Sequence, residues 1–168
     1  MLFKKIAIIA LCSFLSACHV GYSLSGASIP EYAKTFSVQY FKNQAQLAGP
    51  TVPQTFTDAL RNYIASHSSL SLVPDGDLNF SGNISGYTIA PVTVSSSSPA
   101  QSATTRLSIT IDVTYTDKKD AKKSFNASFT RYADFPSSQS ITAVQNDLIT
   151  AINNQLVQDV FDKAFNNW

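Results

Sequence analysis

Between residues 107 and 115 every second side chain is large and apolar (Leu107, Ile109, Ile111, Val113, Tyr115), and every residue between them is polar. Strand side chains point alternately to opposite faces, so this pattern describes a β-strand with one face on a core. Asp117-Lys118-Lys119-Asp120 then turns the chain, and Phe125, Ala127 and Phe129 carry the apolar face onto a returning strand, opposite Asn126, Ser128 and Thr130. A hairpin of this kind leaves one broad apolar surface that other elements must cover.

Two helical stripes are available to cover it. Thr51-Val52-Pro53-Gln54 has the Thr-x-x-Gln form of a capping box, with proline tolerated in the first turn. Phe56, Leu60, Tyr63 and Ile64 then share one face while Asp58, Arg61 and Asn62 point away. Thr142 with Gln145 predicts a second capping box, followed by a stripe of Val144, Leu148, Ile149, Ile152, Leu156, Val160, Phe161 and Ala164. Stripes at this spacing are core surfaces rather than cofactor boxes.

Residues 34–41 alternate as a first strand, with Phe36, Val38 and Tyr40 on its inner side. Residues 70–73 are short and apolar, and Pro74-Asp75-Gly76-Asp77 turns the chain into a long strand over 78–92. The apolar positions of that strand move from even (Leu78, Phe80, Ile84) to odd (Tyr87, Ile89), which predicts a bulge near Gly86. Serines around Pro99 make residues 95–102 a connecting loop. The order β-α-β-β-β-α predicts an α+β two-layer sandwich: a largely antiparallel four-stranded sheet covered on one face by two helices.

The N-terminal region carries its own instruction. Lys4 and Lys5 precede an apolar run over residues 6–15, too short for the roughly 20 residues that span a bilayer. Leu15-Ser16-Ala17-Cys18 closes the run as a lipobox: small residues at the cleavage site, then a thiol that can accept a diacylglyceryl group. An ordinary secretory leader with a cysteine by chance at that position is the competing reading. The expected organisation is a signal peptide over 1–17, a lipidated tether over 18–33 and one α+β domain over 34–168. Cys12 would leave with the signal, so Cys18 has no cysteine left to pair with, and a covalent lipid is the only attached group expected.

The remaining residues exclude more than they assign. The chain has 12 Lys+Arg against 11 Asp+Glu, and the leader removes two of the lysines, so no cationic footprint for nucleic acid remains. Beyond the leader the histidines are His19 in the tether and His67 at a helix end, with no nucleophile motif or phosphate loop, so no enzyme and no metal site is expected. Asp75 and Asp77 read as turn formers. Asn83-Ile84-Ser85 and Asn126-Ala127-Ser128 match the glycosylation sequon, but a lipobox implies a bacterium and makes both matches chance.

Two surface features stand out. Lys118, Lys119, Lys122 and Lys123 gather at one hairpin tip, either as a solubilising turn or as a contact for phosphate groups. Charged residues make up 14% of the chain, against roughly a quarter in typical domains. The outward sheet face accordingly reads Asn79, Ser81, Ser108, Thr110, Thr114, Ser124, Asn126, Ser128 and Thr130. Such a face is either a habit of composition or a surface meant for a polar partner.

Cys18, then Gly21-Tyr22-Ser23-Leu24-Ser25-Gly26, the segment 34–41, Pro53-Gln54-Thr55-Phe56-Thr57-Asp58-Ala59-Leu60, Gly76-Asp77-Leu78, residues 82–91 and 106–135, and the end Phe165-Asn166-Asn167-Trp168 together resemble the LptE family of lipopolysaccharide-assembly lipoproteins in its Bacteroidetes form. The resemblance implies a sheet covered by two helices. It also implies an outer-membrane lipoprotein facing the periplasm, lipidated at Cys18, which binds lipopolysaccharide and sits as a plug in the lumen of the LptD β-barrel. A lipid-anchored accessory subunit of a phospholipid-transporting ABC system is the alternative from another class, and a lipoprotein hydrolase a third.

Overall fold

The computed structural model describes residues 28–92 and 103–166. Its elements are β1 (Thr35–Val38), β2 (Lys42–Asn43), α1 (Thr51–His67), β3 (Ser71–Leu72), β4 (Leu78–Val92), β5 (Thr104–Asp117), a 3₁₀ turn (Ala121–Lys123), β6 (Phe125–Pro136) and α2 (Ile141–Phe165). The lipobox and the serine-rich loop lie outside the described residues.

One sheet holds all six strands in the order β3-β1-β4-β5-β6, with β2 also on β4. β4, β5 and β6 are antiparallel neighbours, whereas β1 pairs in parallel with β3 and β4, and β2 in parallel with β4. The expected four-stranded, largely antiparallel sheet is therefore corrected to a mixed, open six-stranded one under two helices. The cause is the crossover: α1 carries the chain back to the starting end, so β3 and β4 run parallel to β1. β2 and β3 have two residues each, too few to alternate visibly.

The two helices lie together on one face. Phe56, Leu60 and Ile64 of α1 and Ile152, Leu156 and Val160 of α2 are fully buried, as their stripes require. Tyr63 and Phe161 meet edge to face at 5.4 Å between the helices. Phe165 closes the far end over Phe80 and Tyr115, at 6.2 and 6.3 Å. Neither capping box forms. The chain is already helical at Pro50, so Thr51 falls inside the first turn, and Gln54 donates instead to Asp58 at 2.6 Å. Ser140 precedes α2 without a side-chain cap, and Gln145 reaches across to the Tyr87 hydroxyl at 2.9 Å.

β1 and β2 are one interrupted strand lying along β4. At the interruption Tyr40 turns outward, 49% exposed, and Phe41 turns in, which reverses the expected assignment of Tyr40 to the inner side. Helix α1 satisfies the backbone groups freed there. Arg61 donates to the Val38 carbonyl at 2.8 Å, and Thr57 Oγ1 accepts from the Phe41 amide at 3.1 Å. The Phe41 ring, 4.8 Å from Phe56, occupies space that exists because residue 82 is glycine. A Cβ there would stand 2.0 Å from the Asp112 carbonyl oxygen and 2.7 Å from the Phe41 ring. Gly82→Ala should therefore destabilise the fold by about 3 kcal/mol, the upper part of the overpacking range, because strand backbone cannot step aside. Urea unfolding measures it, and a loss below about 0.5 kcal/mol would contradict this packing.

The predicted bulge is present, between Ile84 and Gly86. It moves the inward parity from Ile84 to Tyr87, while Ile89 stays 41% exposed. At the chain's start Ser28 donates its amide to the Phe165 carbonyl at 2.7 Å, Ile29 and Tyr32 pack on the core, and Ala33 is buried.

A polar sheet face and a charged tip

Pairing across β4, β5 and β6 sorts the outward residues into rows. Asn79 faces Thr116, Ser81 faces Thr114 and then Asn126, and Asn83 faces Asp112 and then Ser128. After the bulge Gly86 faces Thr110 and Thr130, and Thr88 faces Ser108 and Tyr132. Across β4, β5 and β6 these five rows carry Asp112 as their one formal charge, and Lys42 of β2 stands beside Asn83 at the outer end of the third row. The expected members Asn79, Ser81, Ser108, Thr110, Thr114, Asn126, Ser128 and Thr130 all lie on it, while Ser124 is drawn into the turn, where it accepts the Asp117 amide at 3.0 Å. The expected list left out Asn83, Asp112 and Thr116, although the alternation already places Asp112 on the polar side of β5 and Asn83 shares the odd parity of Asn79 and Ser81.

The face satisfies itself from within. Thr114 donates to Asn126 at 2.6 Å, Thr110 and Thr130 share a hydrogen bond of 2.9 Å, and Ser37 donates to Asn79. Burial acts to raise the Asp112 carboxyl, but hydrogen bonds from Ser128, Ser85 and Asn83 outweigh it and hold it below the usual carboxylate range. The one charge is thus already ligated by neutral donors. At the far end Arg106 makes a two-pronged pair with Asp134, at 2.7 and 2.8 Å, and its guanidinium lies 3.5 Å above the Tyr132 ring. A partner would meet uncharged hydroxyls and amides across the middle and a neutralised pair at this margin.

The opposite end is the lysine tip, built on Asp117. This buried carboxylate accepts from the Tyr32 hydroxyl at 2.5 Å and from the amides of Lys119 and Asp120 at 2.9 and 3.0 Å. That hydrogen bond, with burial and the neighbouring carboxylates, pushes the Tyr32 hydroxyl up to about 12. Lys119 and Lys123 stand 5.3 and 6.0 Å from the Tyr32 ring centre, Lys118 pairs with Asp75 at 2.7 Å, and Lys122 is exposed on the 3₁₀ turn. The four cations thus share their end of the sandwich with Asp75, Asp117 and Asp120. Asp77 takes a turn role: its Oδ2 accepts from the amides of Lys34 and Thr35 and from the Thr35 hydroxyl, which lowers its carboxyl.

His67 ends α1 stacked on Tyr63 at 4.0 Å, its Nδ1 2.9 Å from the Tyr63 carbonyl. Among the described residues no three His, Cys, Asp or Glu side chains gather as metal ligands, and no helix is long and apolar enough to cross a membrane.

No curated protein matches the chain in sequence. Among solved structures it is similar to a minor lipoprotein from Acinetobacter baumannii (13% identity, TM-score 0.51, covering 78% of this chain and 91% of that one). It is similar also to uncharacterized lipoprotein B from Nitrosomonas europaea (15% identity, TM-score 0.51, 84% and 88%). A third is the hypothetical protein CT253 from Chlamydia trachomatis (7% identity, TM-score 0.51, 79% and 98%). At these identities the likeness is one of fold. The family profile described as LptE, lipopolysaccharide-assembly, matches residues 33–164, nearly every described element from the start of β1 to the end of α2. The chain therefore belongs to the LptE family of lipopolysaccharide-assembly lipoproteins, a non-enzymatic family without a cofactor.

Proposed function

We propose that this protein is an outer-membrane lipoprotein, anchored through a lipid on Cys18 once residues 1–17 are removed, that binds lipopolysaccharide and sits within the lumen of an LptD-type β-barrel on the periplasmic side. In this reading residues 34–168 form the single domain, and the segment before it leads to the membrane. The observation that carries the proposal is the outward sheet face: across the middle of β5 and β6, Thr110, Thr114, Asn126, Ser128 and Thr130 form a hydroxyl and amide surface interrupted only by the ligated Asp112. A solvated sheet face ordinarily bears charges that keep it from associating. The lumen of a transmembrane barrel is polar, so uncharged donors and acceptors exchange hydrogen bonds with it without the desolvation penalty of buried ions. Gentle-detergent purification of the lipidated protein tests the reading: co-purification of a large β-barrel supports it, whereas recovery with an inner-membrane permease complex favours the accessory-subunit alternative.

Lys118, Lys119, Lys122 and Lys123 supply the contact to the lipopolysaccharide phosphates in this account. Exposed charges add little to folding but attract an anionic ligand over a distance set by salt. Replacing all four with glutamine should weaken lipopolysaccharide binding about tenfold at low ionic strength and move the unfolding temperature by no more than a degree or two. Equal affinity of the two proteins at low salt would remove the lysines from the binding account.

A further inference from the structure

We propose that Asp112 makes the ionic contact of the outward sheet face: its carboxylate receives one arginine side chain of the barrel wall, in a pit where β4, β5 and β6 run side by side. The proposal rests on the reading of that face as the contact with the barrel, and it names the chemistry of the partner at one point on it.

The sheet builds the pit. An open depression of about 310 Å³ lies over these three strands, with Asn83, Asp112, Thr114, Asn126 and Ser128 in its lining. Its floor is firm. Gly82 lets β4 come so near to β5 that a Cβ there would stand 2.0 Å from the Asp112 carbonyl oxygen, which leaves the backbone under Asp112 no room to shift. Ser85 is the residue that the bulge leaves without a partner on β5, and its hydroxyl joins those around the Asp112 carboxylate.

Charge decides what the pit takes. A carboxylate offers about four acceptor positions. Asn83 Nδ2 donates to Asp112 Oδ2 at 3.2 Å, and Ser85 and Ser128 add the other hydrogen bonds. All these donors are neutral. Burial disfavours the charge, the hydrogen bonds outweigh it, and the carboxyl stays ionised at neutral pH. Among the described residues no salt bridge reaches it, and Lys42 stands one strand further off, on β2. The charge is thus ligated but not balanced. A partner laid over the face strips away the water that now supports it, and an unbalanced carboxylate under an interface is costly unless a cation arrives with the partner.

The lining also selects among ligands. It holds no aromatic ring on which a sugar could stack, and Tyr132, two rows away, already carries the Arg106 guanidinium 3.5 Å above its ring. Beside the carboxylate stand the oxygens of Thr114, Asn126 and Ser128. A guanidinium brings five donors in a planar fork to such a set of acceptors, whereas a lysine brings a point charge. Arginine fits the pit better.

Gentle-detergent capture of the barrel tests the ion pair, read as an apparent affinity for the lipidated wild type, Asp112→Asn and Asp112→Glu, with thermal unfolding of each free protein alongside. Asparagine keeps the size and removes the charge, and it should weaken capture roughly thirtyfold or more, the loss expected when one member of a buried charge pair is removed. Glutamate keeps the charge and should recover most of the affinity. A carboxylate that only ties the bulge to β6 would lower the unfolding temperature on substitution and leave capture by the folded protein unchanged. Equal affinity of the wild type and Asp112→Asn therefore overturns the ion pair while leaving the barrel contact in place, and a wild-type protein that captures no barrel overturns both. An exchange of charges gives a second reading that does not depend on the asparagine variant folding. With Asp112→Arg in this chain, aspartate in place of the lumen arginines of the barrel, one at a time, should restore capture at one position; restoration at none of them, or only at a lysine, overturns the assignment.

Discussion

Arginine at both Thr114 and Ser128 should leave the isolated protein folded and abolish its capture of the barrel. Both side chains are exposed in the middle of the outward face, so the domain alone accommodates the longer side chains in solvent. In the lumen the same two charges would be removed from water beside partners arranged for neutral donors and acceptors, and an unpaired buried charge costs several kcal/mol. At about 1.4 kcal/mol per decade that amounts to a hundredfold or greater loss of association. Valine at the same two positions removes hydrogen bonds without adding charge and should cost far less, about tenfold. Co-purification yields, read beside thermal unfolding of the free proteins, separate these outcomes; an arginine variant that still recovers the barrel at wild-type yield would place the interface elsewhere.

The other large effect concerns the anchor. Cys18→Ser should move the protein from the membrane fraction to the soluble fraction when it is produced without its partner, with unfolding unchanged, because the described core begins beyond residue 28. Each buried CH₂ contributes about 0.8 kcal/mol, one acyl chain binds only marginally, and stable anchoring takes two or more. A single substitution at the acylated atom therefore removes the whole anchor. Retention of the serine variant in the outer membrane under those conditions would contradict the lipobox reading.

The parts legible in the sequence were those where one local pattern runs long enough. The alternation over 107–115 gave β5, the parity change before Tyr87 gave the bulge, and the stripes gave both helices and their buried faces. What stayed hidden depends on partners distant in sequence. Two-residue strands such as β2 and β3 have no period of their own, and the parallel pairing of β1 with β4 is a consequence of the α1 crossover. Tyr40 and Phe41 exchange sides because Arg61, Thr57 and the missing side chain at Gly82 make an inward seat for the second ring. Thr51 and Thr142 match capping boxes, yet they lie inside their helices, one step past Pro50 and two past Ser140, and cannot cap them.

The surface followed the same division. The polar outward residues could be found from parity, because a strand with one buried face must display the other. The clasp of Tyr32 on Asp117, which sets the shape of the lysine tip across 85 residues of chain, has no local signature. Nor could spacing show that Lys118 would be paired with Asp75, or that Ser128, Ser85 and Asn83 would converge on Asp112.

The central claim is that the outward sheet face, and not the helical layer, meets the barrel. Photo-crosslinking amino acids placed at Thr110, at Ser128 and, on the helical layer, at Arg61 test it in the lipidated protein in cells. The account predicts capture of one large β-barrel protein from Thr110 and Ser128 and none from Arg61; capture from Arg61 alone would put the interface on the helices and contradict it.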